Sequence, residues 1–240
     1  MPRQKKIDTA ALLERLGELN DEEVKESAPW MPSLSVTQRE IFDDTSRYIL
    51  AYGERGTGKT YILGGHKLVR HCYENFNALA LCVVGVKSQA TMGGVWHKLE
   101  TEILPLWAKG LGIRITEARR DEQKNLYIDI ENRYGGDSRV VVISVPYGAF
   151  IRDRIKGFEP SYVFIDELTN LDTPDYFNAV VQQIGRRPGI RGPQQYTAAC
   201  NPDGPSHWVY KRFFEQPYNE AGEWDDDYSV YHLKIEENKD

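Results

Sequence analysis

Short apolar runs recur along the chain and alternate with segments in which apolar residues fall at helical spacing. Such alternation predicts a parallel sheet covered by helices on both faces. Tyr48 to Tyr52 reads as a strand running into a glycine-rich stretch, and Lys59 to Tyr73 as the helix that follows. Ala78 to Val84 is a second buried strand, and Ser88 to Trp107 carries helical spacing through Val95, Leu99, Ile103 and Leu106. Leu126 to Ile130 and Val140 to Val145 flank Arg133-Tyr134-Gly135-Gly136-Asp137, a turn-like insert suited to closing a hairpin. Tyr162 to Ile165, Tyr196 to Cys200 and Tyr228 to Leu233 complete the strands.

Residues 1 to 27 are polar and charged, with a short amphipathic pattern at Ala11, Leu12, Leu13, Leu16 and Leu19. The expectation is a helical arm over residues 1–28, broken from the rest by Pro29, Pro32 and Ser33-Leu34-Ser35. Residues 29–233 form one α/β domain on this reading, and 234–240 open an acidic linker. At 240 residues the chain buries a substantial core without a second unit.

Composition changes this picture little. Hydrophobic content of 40% and charged content of 28% are ordinary for a globular fold. No apolar run approaches the ~18 residues of a membrane span, and Met1-Pro2-Arg3-Gln4-Lys5-Lys6 lacks the apolar core of a signal peptide. The expectation is therefore a cytoplasmic protein with no membrane partner. Cys72, Cys82 and Cys200 show no ligand spacing and read as buried structural thiols, and none of the five histidines is read as a metal ligand. The net charge of -6 misleads, because Glu215 to Asp240 holds nine acids and two lysines, a balance of -7. The preceding 214 residues thus carry about +1, which leaves nucleic acid open as a partner.

Gly53-Glu54-Arg55-Gly56-Thr57-Gly58-Lys59-Thr60 matches G-x-x-x-x-G-K-[ST] at every fixed position and lies between a predicted strand and a predicted helix. Glycines let backbone N–H groups turn toward phosphate oxygens, and the positive end of the following helix favours the same anion. Lys59 is expected to reach the β and γ phosphates of ATP, and the Thr60 hydroxyl to coordinate Mg²⁺. Tyr162-Val163-Phe164-Ile165 then delivers Asp166 and Glu167 at the end of an apolar strand, where ligands of open parallel sheets bind. Asp166 is expected to hold Mg²⁺ through water, and Glu167 to orient and deprotonate the attacking water. The pair predicts ATP hydrolysis.

Charge growing on the γ-phosphate calls for further cations. Arg55 inside the loop is read as a γ-phosphate ligand in cis, as a solvated side chain, or as the partner of an acid. Arg152, Arg154 and Lys156, and separately Arg186, Arg187 and Arg191, are read as arginine fingers for a neighbouring subunit, as DNA-backbone contacts, or as solvated charge. Gln38 lies fifteen residues before Gly53 and offers an amide to adenine, with Ser35 or Thr37 capping a helix there as a compatible alternative. Asn201 follows a strand, is presented at the catalytic edge, and is suited to sensing the γ-phosphate and moving the following helix.

Together these residues resemble the ATPase domain of phage terminase large subunits from about Pro32 to Leu233. The resemblance rests on the Gly-x-Arg-Gly-x-Gly-Lys loop with Arg55, Val84-Gly85-Val86-Lys87-Ser88 followed by Val95-Trp96, the Asp-Glu strand, and Cys200-Asn201-Pro202-Asp203-Gly204-Pro205-Ser206-His207-Trp208. It implies a three-layer P-loop NTPase fold, RecA/ASCE-like, with a mostly parallel central sheet, and Mg²⁺-dependent ATP hydrolysis that translocates double-stranded DNA into a procapsid. It further implies a glutamine near Gln38 on adenine, a coupling role for Asn201, and a basic residue upstream of the Asp-Glu strand acting in trans, of which Arg154 is the choice. The implied partners are DNA, the portal protein, the small terminase subunit and other copies in a ring, pentameric by family habit, with the chain a monomer when isolated. The family's nuclease domain is not expected within this chain, and no nuclease activity is assigned to it. Two alternatives stay open: a helicase-like nucleic-acid ATPase, and a nucleotide-controlled assembly module with little turnover.

Overall fold

The computed structural model describes residues 30–85, 94–122, 125–145, 155, 157–171, 173–201, 204–217 and 222–238. The chain divides into two units, Met1–Met31 and Pro32–Asp240, and the sheet and the glycine-rich loop belong to the second. The expected arm over 1–28, Val86, Lys87 and Ser88, Arg152, Arg154 and Lys156, and Pro202 and Asp203 lie outside the described residues.

Eight strands form one sheet: β1 Tyr48–Tyr52, β2 Leu79–Val84, β3 Arg119–Arg120, β4 Leu126–Glu131, β5 Asp137–Ser144, β6 Tyr162–Ile165, β7 Gln195–Cys200 and β8 Tyr228–His232. Their order is β3-β4-β5-β2-β6-β7-β1-β8. Six neighbours from β5 to β8 pair in parallel, while β3 and β4 are antiparallel additions at one edge. The fold is that of a RecA-like P-loop domain, a mostly parallel sheet with helices against it. Strands β2, β6 and β7 are buried throughout, as a sheet covered on both faces requires.

The predicted hairpin is present. β4 and β5 are joined through a tight turn in which the Asn132 N–H donates to the Gly136 carbonyl (2.8 Å). Because that turn is so short, β5 begins at Asp137, three residues before the apolar run that marked it in the sequence. β3 was not expected, since two exposed arginines carry no apolar signal.

Helix α1 (Val36–Asp43) starts at Ser35, whose hydroxyl accepts from the Gln38 N–H while Gln38 Oε1 accepts from the Ser35 N–H, a capping box. Helix α2 runs as Lys59–Tyr61, a π-helical turn Ile62–His66, and Lys67–Glu74. Helix α3 has the same construction, Val95–Lys98, a π turn Leu99–Ile103, and Leu104–Leu111. Helix α4 (Asp175–Val181) precedes β7, and α5 (Trp208–Tyr210 continued by the π turn Lys211–Glu215) follows it.

An aromatic cluster packs one face of the sheet. Tyr48 lies in register with Tyr196 on β7 and Tyr228 on β8, and it stacks on Tyr228 at 4.6 Å between ring centroids. Phe177 of α4 meets Tyr196 edge-on at 4.6 Å and Phe213 of α5 at 5.9 Å. Each such pair adds about 0.5–1.5 kcal/mol beyond area burial, so β1 and β7 are fixed against each other beneath the edge where the motif residues of the sequence emerge.

Candidate functional site

The strand order decides which residues meet. β7 lies between β1 and β6, so the carboxyl ends of three adjacent parallel strands deliver Gly53, Asn201 and Asp166-Glu167 to one edge of the sheet. There Asn201, Asp166 and Glu167 line a cleft of about 580 Å³, together with Gln38, Arg55, Gly56, Thr57, Gly58, Lys59 and Thr60. Every described side chain that the sequence assigned to the nucleotide site is thus brought to this edge, Gly53 and Glu54 as the loop's first residues and the others as cleft lining.

The loop turns where glycine is required. Gly53 has φ +146°, and a Cβ there would sit 2.2 Å from the Leu233 carbonyl oxygen. That close approach exists because the Leu233 N–H donates to the Tyr52 carbonyl (2.9 Å), drawing the chain after β8 against the loop. Gly58 precedes α2 in the left-handed region at φ +85°, which releases the chain into the helix.

Lys59 is buried, and its ammonium donates to the carbonyls of Gly53 and Glu54 (2.7 Å each) and to Asn201 Oδ1 (3.3 Å). Burial pulls its pKa below the ordinary lysine value, while Cys200, Asp166 and Glu167 pull it back up. Thr57 steadies the loop by donating to the Glu54 carbonyl (3.0 Å). Arg55 is exposed at the cleft mouth and forms no hydrogen bond or ion pair among the described residues.

Thr60 Oγ1 donates to Asp166 Oδ1 at 3.0 Å. Burial raises the Asp166 pKa, the Thr60 bond lowers it, Glu167 raises it, and Lys98 and Lys59 lower it. A hydroxyl and a carboxylate meeting in a polar cleft are the hard oxygen donors suited to Mg²⁺. Glu167 takes the left-handed backbone conformation at φ +54°, a departure costing on the order of 1–3 kcal/mol for a residue other than glycine. Its Oε2 accepts from Asn170 Nδ2 at 2.6 Å.

Gln38 closes the capping box with Ser35, the helix start that the sequence offered as its alternative, and the same residue lines the cleft. Arg186, Arg187 and Arg191 lie in the segment that enters β7 at its amino end, the edge opposite the cleft. Arg187 is tied there to the Asn77 carbonyl (2.5 Å) and Oδ1 (3.1 Å), and Gly192 and Arg191 are held by Asn75 Oδ1.

Tyr61, Lys98 and Glu102 also line the cleft and had no sequence signal. Lys98 and Glu102 arrive on α3, whose Ile103 packs where a side chain on Gly65 of α2 would stand. Only that packing makes them neighbours of the loop, and no linear motif encodes it. Cys72, Cys82 and Cys200 are buried free thiols. No cluster of three or more His, Cys, Asp or Glu side chains suited to a metal occurs among the described residues.

Residues 50–239 match the sequence model of the family described as terminase large subunit, T4likevirus-type, N-terminal. Among solved structures, the large terminase of a thermophilic bacteriophage superposes with a TM-score of 0.63 at 18% identity, over 86% of this chain and 47% of that one. The large terminase ATPase domain of Thermus phage P74-26 superposes with a TM-score of 0.58 at 14% identity, over 96% of this chain and 86% of that one. At these identities the likeness is one of fold. The chain spans about half the length of the first of these two proteins. No curated protein sequence matches it.

Proposed function

The chain belongs to the terminase large subunit family, in its T4likevirus-type N-terminal region, and on that premise we propose that it hydrolyses ATP with Mg²⁺ and uses the energy to drive double-stranded viral DNA into a procapsid. The observation that carries the reading is the convergence of Lys59, Thr60 with Asp166, Glu167 and Asn201 on one cleft at the carboxyl edge of β1, β6 and β7.

Each residue then has a part. The loop N–H groups and Lys59 bind the β- and γ-phosphates. Thr60 and Asp166 hold Mg²⁺, which when bound neutralises charge on those phosphates. Glu167 accepts a proton from the water that attacks the γ-phosphorus, and Gln38, which lines the cleft, would recognise adenine through its side-chain amide. Arg55 at the mouth of the cleft is placed to add positive charge in cis, and Arg154 is the choice for a finger supplied by a neighbouring copy. Asn201 accepts from Lys59 here, so a γ-phosphate that engages Lys59 would release the Asn201 side chain. DNA, the portal protein, the small terminase subunit and a ring of copies in the host cytoplasm are the partners that this reading requires.

Packaging into portal-bearing procapsids tests the proposal. Wild-type protein should protect DNA from added nuclease in the presence of ATP and Mg²⁺. Glu167→Gln should bind ATP and yet lose both hydrolysis and DNA uptake by about 100-fold or more. Uptake sustained by Glu167→Gln at the wild-type rate would remove that residue from the mechanism. Hydrolysis without uptake, accompanied by strand separation of short duplexes, would replace packaging with a helicase-like activity.

A further inference from the structure

Asn170 ends the 3-10 turn Leu168–Asn170 that opens directly after Glu167. The left-handed backbone at Glu167 folds this turn back on itself, and Asn170 then grips Glu167 twice. Its backbone N–H donates to the Glu167 carbonyl (2.9 Å), and its side-chain amide donates to Oε2 of the carboxylate (2.6 Å). An asparagine in a turn commonly bonds to nearby backbone groups. Here the side chain spends its donor on a carboxylate, a charge-assisted bond of the strong and short class.

The platform beneath the pair is fixed on three sides. Leu168 is fully buried in the core. The Thr169 hydroxyl donates to the Asn201 carbonyl (3.3 Å), and the Trp208 indole N–H donates to the Leu171 carbonyl. A carboxylate has about four lone-pair sites, so the Asn170 bond does not by itself exhaust its capacity to accept a proton. A neutral amide also supports the negative charge without supplying a proton that would quench the base.

We propose that Asn170 is the positioning residue for Glu167, its amide holding the carboxylate in one orientation at the cleft so that it meets the attacking water. The inference rests on the reading of Glu167 as the base. In the step concerned, the water O–H bond breaks, its proton passes to Glu167, its oxygen bonds to the γ-phosphorus, and ADP leaves with the electron pair of the cleaved P–O bond. Asn170 exchanges no proton at any stage.

Steady-state ATP hydrolysis, with ATP affinity measured by a fluorescent ATP analogue and thermal stability measured beside it, tests this on four variants of the full chain. Asn170→Ala should lower kcat about tenfold at unchanged ATP affinity. Asn170→Asp, of nearly the same shape but without the amide donor, should lower kcat at least as far. Asn170→Gln, which keeps the donor, should recover part of the rate. A merely structural role for Asn170 would lower stability or ATP affinity along with kcat and would show no rescue by glutamine. If Asn170→Ala is unstable, the aspartate variant carries the same split between kcat and affinity. A wild-type kcat in Asn170→Ala or Asn170→Asp, or a rate above wild type, overturns the proposal. Glu167→Gln in the same series separates the two claims: its inactivity beside an unaltered Asn170 variant sinks only the positioning role, whereas its retained turnover sinks the base.

Discussion

Asp166 sits between opposing influences, burial and Glu167 raising its pKa and Thr60, Lys98 and Lys59 lowering it, with the net shift upward. The sign has a consequence for metal binding. Only the ionised carboxylate holds Mg²⁺, so protons compete with the metal, and a raised pKa brings that competition in at a higher pH than for an ordinary aspartate. The Mg²⁺ concentration for half-maximal hydrolysis should therefore climb as pH falls toward the raised value. Lys98→Ala removes one of the cations that favour ionisation and should steepen that climb. Titrating Mg²⁺ at several pH values checks this, and a metal requirement independent of pH in both proteins would contradict it. Lys98 illustrates why some of the site was hidden in the sequence: it is one lysine among many until α3 is laid against the start of α2. Lys59, Thr60, Asp166 and Glu167 were legible because their spacing within a strand-loop-helix and at a strand end already states their geometry.

At the scale of elements, α2 is held to β6 and α3 by what it lacks. A Cβ on Gly64 would lie 2.6 Å from the Phe164 ring, and one on Gly65 would lie 2.2 Å from the Ile103 terminal methyl. The two glycines occupy the π turn Ile62–His66, where the Tyr162 hydroxyl on β6 also donates to the Leu63 carbonyl (2.7 Å). Glycine costs about 1 kcal/mol in a helix interior, and here the cost is offset by bringing the loop helix close to the strand that carries Asp166. Gly64→Ala should thus destabilise the fold by about 1–3 kcal/mol despite its better helix propensity. It should also weaken ATP binding, since Lys59 and Thr60 ride on the displaced helix. Adding Phe164→Leu should return part of the loss. A denaturant midpoint unchanged or raised in Gly64→Ala would show that the contact does not hold the helix. The buried strands were readable as apolar runs, whereas α4 was not: Asp175–Val181 is short and takes its order from Phe177 packing on Tyr196 and Phe213. β3, two exposed arginines, is held by backbone pairing with β4 and by the ion pair of Arg119 with Asp129.

Across the whole molecule, the sheet separates two edges with different chemistry. The carboxyl edge gathers the loop, the two acids and Asn201, with β7 standing between the strand that brings the loop and the strand that brings the acids. Arg186, Arg187 and Arg191 stand at the amino edge, so none of them reaches the cleft of its own chain. Any action of theirs on phosphate is directed at another molecule, and Arg187 is already occupied by Asn77. The cleft itself is the centre of the account, and phosphate release from ATP tests it most directly. Measured with Mg²⁺ and with the metal chelated, the wild-type chain should release phosphate only with the metal, and Lys59→Ala should lose that release by about 100-fold or more. Release that persists without a divalent metal, or at the wild-type rate in Lys59→Ala, would contradict it.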